Sequence, residues 1–246
     1  MEKDLAVYCV CFPGHEPLRQ QKYQNNIMCN ANVLSDEYRV KLQQKGYVFD
    51  DSGDNISSLN PTLGDLTATY WIWKNSPHQI VGTSQYRRFW DKSLLDMDFD
   101  ENTLYVQDPI DLVDKDFKQQ YIHCHGEVGL SVLEKLVYEN KIPLTRTMLD
   151  QAYALRWLHG CNMFIAHKPL YDKFCELLFE IVFAVYDAVQ HDLDKLGDYN
   201  KRTPAFVGER VVNILIANKE HFFPHLKIDT IKWQQVKKPF LKKLYK

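Results

Sequence analysis

Short apolar strands alternating with helical periodicities predict an α/β fold with a mostly parallel central sheet flanked by helices. Two observations carry this expectation. Leu5–Phe12, Gln79–Ser84 and Cys161–Ala166 are apolar-rich runs of strand length. The segments between them hold apolar residues at three- and four-residue spacing, punctuated by Pro and Gly.

The first strand, Leu5–Phe12, is apolar throughout and stops at the turn Pro13-Gly14-His15. Residues 19–49 are polar and mixed, and Asp50–Asn55 reads as a loop. Asn60-Pro61 gives a helix start, with Asn as cap and Pro at the first helical position. Leu63, Leu66, Tyr70 and Trp73 then share one helical face, which predicts Tyr70 and Trp73 inward, with Trp71 and Lys74 pointing elsewhere.

Gln79–Ser84 runs into Gln85-Tyr86-Arg87-Arg88, and an acidic loop from Asp91 to Asn102 leads to a short strand at Leu104–Val106. Helical spacing returns at 127–140 and 146–158, divided by Pro143. After the third apolar strand, residues 168–191 form the strongest amphipathic helix, with Leu170, Phe174, Leu177, Ile181 and Val185 inward. A helix is expected to open near Gly208-Glu209, before an irregular basic end. Ligands of such sheets bind at the carboxyl ends of strands, so the segments after residues 12, 84 and 166 are candidate site walls.

The 246 residues suit a body at 1–236 with a short tail at 237–246. Phe, Tyr and Trp make 13% of the chain, and net charge is only −2, which excludes disorder and disfavours a broadly basic nucleic-acid binder. That total is uneven, because Lys237–Lys246 contains five Lys and no acid, leaving −7 on the preceding 236 residues. Six Cys show no CxxC pair and mostly sit in apolar context, as in reduced cytosolic proteins.

Several clusters have both a chemical and an ordinary reading. Arg87 and Arg88 at a strand end present planar donors for a diphosphate; alternation predicts one toward a ligand and the other paired with an acid. Asp96-Met97-Asp98-Phe99-Asp100 has the spacing of a carboxylate pair that binds a divalent cation, although a solvated acidic loop is favoured. Asp50, Asp51 and Asp54 would bind ribose hydroxyls or shape a turn. His123 and His125 lack a completed zinc set. Glu209 is a general base for a hydroxyl or a partner for first-turn amides. The aromatics Tyr70, Trp71 and Trp73 beside Lys74 read first as core.

Together, Asp54-Asn55-Ile56, Asn60, Leu66–Asn75 with its string Tyr70-Trp71-Ile72-Trp73-Lys74-Asn75, Gln85–Phe89, Asn162–Ile165 and Gly208-Glu209-Arg210 resemble a family of bacterial glycosyltransferases. That family accompanies capsule, exopolysaccharide and O-antigen biosynthesis. The resemblance spans about residues 5–220 and implies a GT-A-like single domain binding a uridine diphosphate sugar, with galactofuranose the sugar of some relatives. It implies Glu209 as base and Asp65 as second choice. For substrate it points to Asp54, Asn55, Tyr70, Trp71, Lys74, Gln85, Tyr86, Arg87, Arg88, Asn162 and Arg210. Gln85 stands where the family usually has His, and Phe12-Pro13-Gly14-His15 replaces a familiar His-Lys.

A divalent cation, Mn²⁺ or Mg²⁺, is left open by this resemblance, with the arginines as the alternative carriers of positive charge. The partners it implies are a nucleotide-sugar donor, a glycan or lipid-linked glycan acceptor and, through Lys237–Lys246, an anionic membrane surface. A non-catalytic sugar- or nucleotide-binding module remains the alternative from another class, and a phosphohydrolase is more distant.

Overall fold

A computed structural model describes residues 3–237, so the expected tail lies, from residue 238 onward, outside the described residues. The chain runs β1 (Leu5–Cys11), β2 (Gln24–Met28), α1 (Asp36–Gln44), β3 (Val48–Phe49), α2 (Asn60–Leu63), α3 (Leu66–Asn75), β4 (Ile80–Gln85) and β5 (Arg88–Trp90). It continues through β6 (Thr103–Gln107), β7 (Ile110–Asp111), α4 (Phe117–His125), α5 (Val128–Tyr138), α6 (Arg146–Tyr153), β8 (Trp157–Leu158) and β9 (Phe164–His167). It ends with α7 (Lys168–Val189), α8 (Gly197–Asn200), α9 (Thr203–Ala217), α10 (Lys219–Phe222), β10 (Lys227–Ile231) and β11 (Trp233–Gln235).

The central sheet has the order β10-β6-β9-β4-β1-β2-β3, and it is mostly parallel, as expected. Along this order β9 is the exception, pairing antiparallel with both β4 and β6, and off it β5 and β11 add antiparallel pairs beside β4. The third apolar strand therefore presents its amino end, not the segment after residue 166, beside the carboxyl ends of β1 and β4. Direction is invisible to an apolar run, because a strand buried on both faces has the same composition either way.

One face of the sheet carries Ala6, Tyr8, Val10, Val81, Leu104 and Phe164, packed against α3, α5, α7 and α9. On the other face, Val7, Ile80, Tyr105 and Ile165 meet Trp90, Phe99 and Ile231, while Cys9, Cys11 and Met28 meet Leu42 of α1. α7 is covered on more than one side, so its buried set is wider than the expected stripe. Tyr171, Phe174, Cys175, Leu178 and Phe179 are buried, and Leu170 and Leu177 only partly.

Three expectations about helices need correction. The helix at Asn60 breaks at Gly64, whose φ of 54° is left-handed, and restarts at Leu66; the Asn60 side chain donates to Gly64 O and Thr67 Oγ1 instead of capping. On α3 it is Trp71 that is buried, its Nε1 donating to Ser52 and its ring edge-on to Tyr8, while Tyr70 and Trp73 are half-buried against Phe179. α9 starts at Thr203, with Pro204 in its first turn, so Glu209 lies in mid-helix. In addition, α6 stops at Tyr153 and Trp157–Leu158 pairs with β7.

The expected irregular end is ordered over its described part. β10 extends the sheet beside β6, and β11 pairs antiparallel with β5, matching Gln235 to Arg88. No helix of the described residues is long and apolar enough to cross a membrane.

Candidate active site

A cleft of about 670 Å³ opens at the carboxyl ends of β1 and β4, within the size range of small-molecule sites. Its lining includes Asp65, Gln85, Asn162 and Glu209, a group around the arginine turn (Phe12, His15, Tyr86, Arg87 and Arg88), and an aromatic group with one arginine (His125, Tyr199, Arg202 and Phe206).

The arginine wall is built by a tight turn. β4 reverses into β5 with Gln85 opposite Arg88, leaving Tyr86 and Arg87 as the connection. Three neighbours clamp it: Tyr86 N–H donates to Val10 O at 3.0 Å, Leu18 N–H to Tyr86 O at 2.8 Å, and Val236 N–H to Arg87 O at 2.8 Å. The Tyr86 ring also lies 5.0 Å from His15. Among the described residues no carboxylate pairs with Arg87 or Arg88, so the expected acid partner for one of them is not present. Two guanidiniums without an ion-pair partner among the described residues, carried on a clamped turn, suit an anion such as a diphosphate.

The two carboxylates are brought together by a close helix approach. A Cβ on Gly208 would lie 2.5 Å from Leu66 Cδ1, so only glycine permits this spacing without displacement. Asp65 and Glu209, each next to one of these contact residues, consequently share the cleft. Asp65 accepts from Gln85 Nε2 at 2.7 Å and from Asn162 Nδ2 at 3.3 Å. Burial raises its carboxyl above the usual range, while nearby Arg202 opposes that shift and Glu209 adds to it.

Glu209 Oε1 accepts from Cys161 N–H at 2.5 Å, which leaves Oε2 available to a ligand. Cys161 and Asn162 both have left-handed φ, 68° and 49°, a conformation that Asn adopts readily but that costs a residue such as Cys about 1–2 kcal/mol. Three bonds from two elements, α9 and β4, hold this turn: the Glu209 bond, Gln85 Nε2 to Cys161 O at 3.2 Å, and Thr83 Oγ1 to Asn162 O at 2.7 Å. Asn162 is 5% exposed, and its Oδ1 has no hydrogen-bond partner. Such maintained strain beside an unsatisfied acceptor is characteristic of ligand sites.

Seven residues expected from the sequence meet in this cleft: Asp65, Gln85, Tyr86, Arg87, Arg88, Asn162 and Glu209. The other six lie outside its lining. Asp54 accepts from Tyr70 OH at 3.1 Å, and Asn55 ties its own loop to Asp51 O and Gly53 O. Trp71 is in the core, and the Lys74 ammonium sits 3.4 Å over the Trp73 ring. Arg210 is 1% exposed, donates to Gln120 and lies over the Phe117 and Tyr121 rings, joining α9 to α4. Asp50 is fully enclosed, accepting from Asn30 N–H, Ala31 N–H, Ser57 and Thr67. Asp51 pairs with Arg39.

The acidic run 96–100 is distant from the cleft in topology: it precedes β6, at the edge where β1 and β4 begin. There Asp100 accepts from Asn102 N–H at 2.8 Å and from Lys227. Among the described residues, no three His, Cys, Asp or Glu side chains form a group that could hold a metal ion. His125, Tyr199, Arg202 and Phe206 were not expected from the sequence. The signal for α4 was the Asp116-to-Gln119 capping box; nothing local marks the other three.

A solved structure described as the apo form of WbbM, a bifunctional glycosyltransferase, shares this fold with a TM-score of 0.71. Sequence identity is 20%, with 95% of this chain covered and 45% of that one, so the match spans less than half of its length. No curated protein matches the chain. The model of a domain of unknown function, DUF4422, matches residues 15–220, and the chain belongs to that family.

Proposed function

We propose that this protein is a glycosyltransferase that moves a sugar from a uridine diphosphate donor to a glycan or lipid-linked glycan acceptor in bacterial surface polysaccharide synthesis, with galactofuranose as the leading sugar. The observation that carries this reading is that Arg87 and Arg88, which make no ion pair among the described residues, line one cleft with the carboxylates Asp65 and Glu209. Fold likeness to a glycosyltransferase supports it.

In the proposed step, the acceptor hydroxyl gives its proton to Glu209 as its oxygen attacks the donor's anomeric carbon. The bond from that carbon to the diphosphate oxygen breaks, and configuration inverts. Arg87 and Arg88 stabilise the departing charge, replacing the cation that related chemistry often uses. Glu209 is preferred over Asp65 as base because Oε2 is free, whereas Asp65 is occupied by two amide donors. Asn162 Oδ1 and Asp65 would orient sugar hydroxyls.

The basic segment Lys237–Lys246 begins at the arginine wall, since Val236 bonds to Arg87. We assign it reversible contact with an anionic cytoplasmic membrane surface, at about 1 kcal/mol per Lys. Deleting residues 237–246 should reduce binding to anionic liposomes; unchanged binding contradicts the assignment.

The activity is tested by nucleotide release across a panel of uridine diphosphate sugars with bacterial glycan acceptors. Acceptor-dependent release with one donor is expected, and it should survive chelation. No release from any donor, with or without Mn²⁺, would instead favour a non-catalytic binding module.

A further inference from the structure

Apart from Arg87 and Arg88, the cleft lining carries three rings supplied by three helices, with the Arg202 guanidinium 5.4 Å from the Phe206 ring centroid. His125, at the end of α4, stacks on Phe206 of α9 with centroids 4.0 Å apart and planes at 21°. Tyr199 of α8 lies 5.0 Å from Phe206 and 6.0 Å from His125, and its hydroxyl meets His125 Nδ1 at 3.1 Å. Tyr199 is nevertheless 57% exposed, so a large aromatic face is held in place while open to solvent.

The spacing along α9 connects this face to the chemistry. Arg202, Phe206 and Glu209 follow at four and three residues, which puts them on one helical stripe facing the cleft. A ring lying against Phe206 would thus be one helical turn from the Glu209 carboxylate. Sugar rings present an apolar C–H face to aromatics and a polar hydroxyl rim to carboxylates, and this stripe offers both. The competing occupant, the donor's uracil, has its own rings beside the arginines, in Phe12, His15 and Tyr86.

Building on the glycosyl-transfer reading, we propose that His125, Tyr199 and Phe206 form the acceptor subsite. They take the apolar face of the acceptor's terminal sugar and aim a hydroxyl at Glu209, while the nucleotide lies along Tyr86, Arg87 and Arg88.

The test uses full-length protein and two probes: UDP, and a panel of methyl glycosides, including methyl galactosides and methyl glucosides, titrated by ligand-observed NMR. Tyr199→Ala should weaken the bound glycoside about tenfold and leave UDP affinity within about twofold. Tyr199→Phe, which keeps the face, should restore glycoside binding, and Arg87→Ala should show the reverse selectivity. Equal weakening of UDP by Tyr199→Ala assigns the wall to the nucleobase and overturns the proposal. So does unchanged glycoside binding, or a wild-type protein that binds no glycoside of the panel. Failure of wild-type protein to bind UDP would count against the glycosyl-transfer reading itself, a separate result.

Discussion

The sheet has a cleft at each edge, of about 670 Å³ at the carboxyl edge and about 630 Å³ at the amino edge, yet the two differ in how their charges are used. At the amino edge, Asp4 is already matched by His78 at 2.6 Å and by Gln79 N–H at 3.0 Å. Those partners hold its carboxyl below the usual range, His78 foremost. At the carboxyl edge, Arg87 and Arg88 have no acid partner among the described residues, burial raises Asp65, and the backbone at Cys161 is strained. Volume alone does not distinguish the clefts; unfinished electrostatics does. A charge already neutralised by its own protein has little left for a ligand, whereas an unneutralised one gains a partner on binding.

The comparison breaks most sharply at Glu209. Glu209→Gln should lower turnover about 10²–10⁴-fold, the range of a lost general base, while UDP affinity stays near wild type. Steady-state rates and a UDP titration on the same samples check this. Next in size, Arg87→Ala and Arg88→Ala should each weaken UDP about 10–100-fold, the range for hydrogen bonds to charged groups. Ending the chain after Lys232 should act in the same direction, because β11 is the strand that holds β5 and Arg87 in place.

At the other edge, Asp98→Asn and Asp100→Asn should leave turnover unchanged. Loss of turnover in either would revive the acidic run as a metal site. Smallest is a pH effect. Burial lowers the His125 imidazole to about 4 from 6.5, with Arg210 and Arg202 contributing. A depressed value means that the stability is present above pH 6.5 and is lost as pH falls toward 4. His125→Phe keeps a stacking ring without the titration. Thermal melts from pH 7 to 4 should therefore move in the variant's favour relative to wild type.

Much of this architecture was legible in the sequence where the physics is local. The apolar runs gave β1 and β4, and the strand-end position of Gln85–Arg88 marked the arginine wall. The motifs around Asp65, Asn162 and Glu209, far apart in the chain, all arrived at one cleft. What was not legible depends on partners distant in sequence. Nothing in Cys161–Ala166 encodes that β9 runs backward, although its direction is why Asn162, not residue 168, faces the site. Tyr199 and Phe206 belong to the site only because α9 packs against α2 and Tyr199 lies against Phe206. The aromatic string on α3 is the most specific motif in the sequence, yet Trp71 serves the core and Asp54 serves Tyr70. Glu209 lines the cleft from the middle of α9, not from the helix start expected at Gly208-Glu209.

The central claim, that the carboxyl-edge cleft takes the nucleotide, is tested most directly by hydrogen–deuterium exchange with and without UDP. The account predicts protection at Tyr86–Arg88 and Cys161–Asn162, with no change at Leu5 or Tyr23–Asn25. Protection at Leu5 and Tyr23–Asn25, with the carboxyl edge unchanged, would contradict it.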